Sequence, residues 1–151
     1  MRYLLCVLTL LLSVEAGAHR FAPSLLEVRQ LSDNGLTATW KTPAQKVSAT
    51  PIEPQFPPDC KRTSESPWIQ EGTGMLRQIQ LTCPDGIVGK TLSVSGLGEN
   101  QSSALLRVYL AENVFHQAVF TADQPSFLVP TEGTPSAVIL DYSWLGAEHI
   151  W

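Results

Sequence analysis

Leu25-Glu-Val-Arg-Gln-Leu31, the triplet Asp33-Asn34-Gly35 and Leu36-Thr-Ala-Thr-Trp40 decide the fold. Apolar and polar residues alternate on both sides of the triplet, so each run presents one apolar and one wet face, the period of a β-strand. Asn-Gly supplies the tight turn, because both residues tolerate positive φ, and the three pieces read as a hairpin. Downstream, Val47 to Ile52 is expected as a third strand, after which Pro51, Pro54, Pro57 and Pro58 impose an extended, loop-like path into Cys60. Met75-Leu-Arg-Gln-Ile-Gln-Leu-Thr-Cys83 resumes the alternation until Pro84-Asp85-Gly86 ends it, and Leu92-Ser-Val-Ser-Gly-Leu97 repeats it. Leu105 to Ala111 and Val114 to Thr121 flank Glu112-Asn113 as a second hairpin, with Leu106, Val108 and Leu110 on one face, and Phe127 to Val129 is a short last strand.

About seven short strands, spaced by turn residues and without an amphipathic helix among them, predict an all-β, antiparallel β-sandwich of Ig-like architecture. Trp40 is expected in its core. The chain of 151 residues allows one modest domain. Its formal net charge is −4, and the absence of a basic run argues against nucleic acid as a partner.

The N-terminal residues carry an address. Met1-Arg2 is a short positive start, Tyr3 to Val14 is apolar, and Ala16-Gly17-Ala18 offers a small-x-small cleavage site, so 1–18 reads as a secretory signal peptide. The apolar run is about twelve residues, short of the roughly twenty that cross a bilayer. Cys6 leaves with the signal peptide, and the net charge is unchanged because Arg2 and Glu15 leave together. Export to an oxidising compartment makes Cys60 and Cys83 an expected disulfide. Closing a loop of about 24 residues stabilises a fold by roughly 3 kcal/mol on the chain-entropy model. A structural metal is disfavoured for the pair, which lacks Cys-x-x-Cys spacing and a neighbouring His.

The exported domain is expected to span 19–134. From 135 to 151 the pattern changes: Ala137-Val-Ile-Leu140, Tyr142, Trp144-Leu145 and Ile150-Trp151 are spaced for an apolar, helical tail or the entry to a membrane segment. The expectation is that the sequence is the front part of a longer product, with a linker and the start of a membrane segment in 135–151.

Catalytic constellations are not found. No Gly-x-Ser-x-Gly is present, Gly72-Thr-Gly74 and Gly96-Leu-Gly98 are too short for a phosphate loop, and Asp59, Asp85, Asp123 and Asp141 sit in or near turns, where Asp bonds backbone. The reading is of a non-enzyme. Asn100-Gln101-Ser102 fits a glycosylation acceptor. Two metal readings remain. His19, once cleavage exposes it, can chelate copper through its α-amine and ring, with His116 as the one further imidazole the strands offer, expected half-exposed. Glu148 and His149 form the other candidate.

Ala18-His-Arg-Phe-Ala-Pro-Ser-Leu-Leu-Glu27, Thr39-Trp-Lys-Thr-Pro43, Cys60 with Leu81-Thr-Cys-Pro84, Gly86-Ile-Val-Gly89 and Pro125-Ser-Phe-Leu-Val-Pro130 together resemble the exported N-terminal region of the HupE/UreJ-like proteins. Leu145-Gly-Ala-Glu-His-Ile150 is similar to the start of that family's first membrane helix. The resemblance implies an extracytoplasmic domain of a polytopic membrane protein, in a family associated with nickel or cobalt transport in support of hydrogenase and urease maturation. It implies Glu148 and His149 as first members of an ion-path motif, attachment to the periplasmic side of the inner membrane through a C-terminal region, and an accessory or metal-delivery protein as partner. In the family, Gly-x-Asp-His and a long apolar stretch follow, whereas this chain stops at Trp151, so transport by these residues alone is not expected. The alternative is a stand-alone periplasmic β-sandwich that binds copper or a protein.

Overall fold

The computed structural model describes residues 22–31, 34–110 and 114–131. These residues form ten strands and no helix: β1 (Ser24–Gln30), β2 (Gly35–Pro43), β3 (Glu53–Gln55), β4 (Lys61–Glu65), β5 (Ile69–Glu71), β6 (Gly74–Thr82), β7 (Thr91–Ser95), β8 (Ala104–Tyr109), β9 (Phe115–Phe120) and β10 (Ser126–Leu128). A seven-stranded sheet runs β4-β6-β2-β1-β8-β9, with β5 also on β6, and a three-stranded sheet runs β10-β7-β3. One core holds side chains from both, so the fold is β-sandwich-like.

The alternation read from the sequence is what builds that core. Leu26 and Val28 of β1, Leu36, Ala38 and Trp40 of β2, and Leu106 and Val108 of β8 are buried, and their neighbours in sequence face outward. Ile52, Leu92, Val94 and Val129 close the core from the small-sheet side. The two expected hairpins are both present as antiparallel pairs, β1 with β2 and β8 with β9. Trp40 is fully buried, as expected.

Three expectations need correction. The sheets are not purely antiparallel, because β1 and β8 pair in parallel, Leu26 opposite Leu106 and Val28 opposite Val108. Ser24 N–H donates to Ser103 O at 3.0 Å, so the loop after β7 delivers β8 to the end of the sheet where β1 begins, and the two must run the same way. Second, Val47 to Ile52 is a run of bends, and the strand is Glu53–Gln55. Side chains satisfy the bend: Ser48 N–H donates to Asn100 Oδ1 (3.2 Å), Thr50 N–H to Ser48 Oγ (3.1 Å), and Asn100 Nδ2 to Thr50 O (2.9 Å). Those backbone groups then have no need of a ladder. Third, β4 and β5 were not anticipated, because all eight residues are exposed and show no apolar period. The signal peptide at 1–18 and the tail at 135–151 lie outside the described residues.

Candidate functional site

Cys60 stands one step beyond the Lys61–Thr82 pair in the β4–β6 ladder, opposite Cys83, and the two form the expected disulfide with Cα atoms 4.1 Å apart. Cys83 is buried, and its N–H donates to Asn34 O at 2.8 Å, which ties the bond to the β1–β2 turn. Beside it, Lys90 Nζ donates to Asp59 Oδ2 at 2.6 Å and also to the Pro84 carbonyl. The Lys90 hydrogen bond holds the exposed Asp59 carboxyl below its ordinary range. The chemistry here is a staple within one sheet, a different placement from the inter-sheet bridge of antibody domains.

A second polar cluster spans the two sheets. Arg77 of β6 reaches Glu53 of β3 at 2.6 Å and Glu65 of β4 at 3.2 Å, and its guanidinium lies over the Trp68 ring, 4.6 Å from the centroid. Arg62 pairs with the same Glu65 at 2.6 Å and bonds Pro54 O. Two arginines and two glutamates therefore neutralise each other across the gap between the sheets. The alternation of β6 hides this role, since Arg77 sits on the inward parity beside Trp40.

An open trough of about 740 Å³ lies at the far end of the small sheet, floored by Gly96 and bordered by Gln55, Ser95, Glu99, Ala122 and Pro125. Its walls offer a carboxylate, an amide and a hydroxyl, groups suited to hydrogen-bonding a polar or cationic surface. Gly96 has φ 77°, and a Cβ there would lie 2.2 Å from Pro51 O, so the loop admits no side chain at this position. Asn100 locks that loop from beneath. It is 3% exposed, and its Nδ2 donates to Gly96 O (2.8 Å) as well as to Thr50 O. The amide read as a glycosylation acceptor is thus buried and bonded, and the sequon is a structural clamp. The sequence offered a cue in Gly96-Leu-Gly98 four residues earlier, where a loop needs a side chain to bind its carbonyls.

His116 also differs from expectation. It is buried, 5% exposed, facing Phe127 with ring centroids 6.4 Å apart. Its Nε2 has no hydrogen-bond partner among the described residues, and burial lowers its pKa from the ordinary histidine value. The imidazole that a His19 copper site would need is therefore turned into the core. His19, Glu148 and His149 lie outside the described residues. Among the described residues no group of three or more His, Cys, Asp or Glu side chains is placed to hold a metal. No helix among them is long and apolar enough to cross a membrane. No known family model matches the chain, and no curated protein matches it.

Proposed function

We propose that this chain is the extracytoplasmic domain of a HupE/UreJ-like membrane protein, with an Ig-like sandwich that binds or gates and performs no catalysis. The observation that carries the reading is the Cys60–Cys83 disulfide, formed within a motif set that follows a signal-type leader and ends in Glu148-His149. A disulfide that ties a strand ladder to a hairpin turn suits a domain that matures in an oxidising compartment. Glu148 and His149 would be the metal-facing residues, with nickel or cobalt as the ion, since imidazole and carboxylate suit borderline divalent metals. The domain would stand on the periplasmic side of the inner membrane.

Expression of the full chain in an exporting host, with intact mass spectrometry of each compartment, tests the proposal. The expected product begins at His19, is two hydrogens lighter than its reduced form, and lies outside the cytoplasm. Retention in the cytoplasm with Met1 in place and both thiols free overturns it. Titration calorimetry with nickel and cobalt on Glu148→Gln and His149→Ala variants then tests the ion assignment, which fails if both metals bind the variants as they bind the parent.

A further inference from the structure

His116 is a titratable side chain held where an added proton has no partner. Strand β9 turns His116, Ala118 and Phe120 toward the core, and His116 is 5% exposed. Phe127 of β10 lies against it, 6.4 Å away between ring centroids, and Nε2 has no hydrogen-bond partner among the described residues. The described elements packed around the ring bring no charge to it. Across the ladder Val108 stands opposite, beside Leu106, whereas Arg107 and Tyr109 of β8 belong to the outer face. Strand β10 contributes Ser126, Phe127 and Leu128, none of them ionisable. Asp123 is exposed in the turn after β9, Lys90 Nζ is held by Asp59 and the Pro84 carbonyl, and Glu112 lies outside the described residues. The Phe127 ring, tilted by 48°, is past the roughly 6 Å within which a ring face attracts a cation.

The strand that lies against the ring is lightly attached. Strand β10 is three residues at one end of the small sheet, paired antiparallel with β7. Three amides mark its attachment: Val94 N–H donates to Pro125 O (2.9 Å), Val129 N–H to Lys90 O (2.9 Å) and Gly89 N–H to Val129 O (2.8 Å). Phe127 packs against the core and Val129 is fully buried, while Leu128 between them is 62% exposed. Upstream, Thr121 N–H donates to Gln124 O and Gln124 N–H to Thr121 Oγ1, both at 3.1 Å, so this turn closes on itself and can serve as a hinge. Strand β9, by contrast, is held to β8 over six residue pairs. Wetting His116 by lifting β10 therefore breaks fewer backbone bonds than wetting it by opening the β8–β9 ladder.

We propose that His116 is a proton-operated latch: a proton on its ring lifts β10 away from β9, about a hinge at Thr121–Gln124, while the rest of the sandwich stays folded. An imidazolium needs hydrogen-bond acceptors, and the closed arrangement offers Nε2 none among the described residues. Once β10 lifts, water supplies them. Burial lowers the ring's pKa, so the closed state keeps the neutral ring and the open state takes the proton first. The closed strand is accordingly at full stability above about pH 6.5 and loses stability as the pH falls below that value. Release frees residues 125–131, which add about 20 Å of reach, at about 3.3 Å per residue, to whatever follows Thr131. The latch depends neither on the ion assignment nor on what the domain binds.

Amide hydrogen exchange on the full chain, with Cys60 and Cys83 oxidised, tests the proposal between about pH 7.5 and 5, with rates corrected for the intrinsic pH dependence of exchange. Protection of the Gly89, Val94 and Val129 amides should fall below about pH 6.5, by up to about thirtyfold at about pH 5, the limit for a ring that titrates near 6.5 when open. Amides of β1 and β2 should keep their protection, and the His116 ring, followed by NMR, should titrate below its ordinary value. His116→Phe, which keeps a ring against Phe127, and His116→Gln should both abolish the dependence, and Glu112→Gln should leave it in place. Unchanged protection of the three amides overturns the latch, since a ring that takes its proton without them has swung out alone. So does a loss shared by all strands, which is global unfolding, or a dependence that survives in the His116 variants or vanishes in Glu112→Gln.

Discussion

Strands β1, β2 and β8 bury every second side chain, whereas β4 and β5 bury none. The two regions share one sheet through β6 and are held by different forces. The middle rests on apolar burial, with Leu26, Trp40, Ile79 and Leu106 fully inside. The rim rests on the Cys60–Cys83 bond, the Arg77 and Arg62 ion pairs and the backbone ladder to β6. The difference teaches that a sheet can be extended beyond its hydrophobic core where covalent and ionic links replace burial, and that such an extension opens first.

The largest expected effect is in the middle. Trp40→Ala should cost about 3–5 kcal/mol through the cavity it leaves, read as a lowered urea midpoint. Trp40→Phe should cost clearly less, because it fills most of the space and removes an indole N–H that has no partner among the described residues. Equal losses for the two variants would mean that packing at Trp40 is not what supports the middle.

Next comes the staple. Replacing Cys60 and Cys83 together by Ala should lower stability by roughly 3 kcal/mol. Hydrogen exchange sharpens the contrast: amides of β4 and β5 should lose protection well before those of β1 and β8. Uniform loss across all four strands would make the rim and the middle one cooperative unit and dissolve the comparison.

Arg77→Met keeps the stem and removes the charge, leaving Glu53 and Glu65, each about a third exposed, without it. A loss of about 1–2 kcal/mol is expected, shrinking in high salt because the carboxylates are partly solvated. A salt-independent loss would assign the effect to packing against Trp68 instead.

The smallest effect is the titration of His116. Its folded pKa is depressed by burial below the ordinary 6.5, so the folded state holds the neutral ring and the unfolded chain takes the proton first. The stability it contributes is therefore present above about pH 6.5 and is lost as pH falls toward and through the folded value. A urea midpoint that declines between about pH 7.5 and 5.5 in the parent and stays flatter in His116→Phe is the expected result. Parallel declines would place the titrating group elsewhere.

The strands with an apolar period were legible because burial on one face leaves a two-residue rhythm in the sequence, as Leu25 to Leu31 and Met75 to Cys83 show. The disulfide was legible as well, since Cys60 and Cys83 are the two cysteines outside the N-terminal apolar run and have one way to pair. Strands β4 and β5 left no rhythm, because what orders Lys61 to Glu71 is the free edge of β6 and not their own side chains. His116 was misjudged for a related reason. Its neighbours do not reveal that β10 folds over that end of β9, placing Phe127 against the ring. Asn100 carried a surface motif and became a buried clamp, because the loop around Gly96 turns its carbonyls inward.

By itself, then, the sequence determined the local periods, the hairpins and the cysteine pair, all of which follow from residues near one another or from a count of two. The tertiary structure alone decided the parallel meeting of β1 and β8 and the ionic link from Arg77 to β3. Each of these depends on which distant segments become neighbours. That choice is made by the closure of one core from two sheets, a property of the assembled chain that no short window contains.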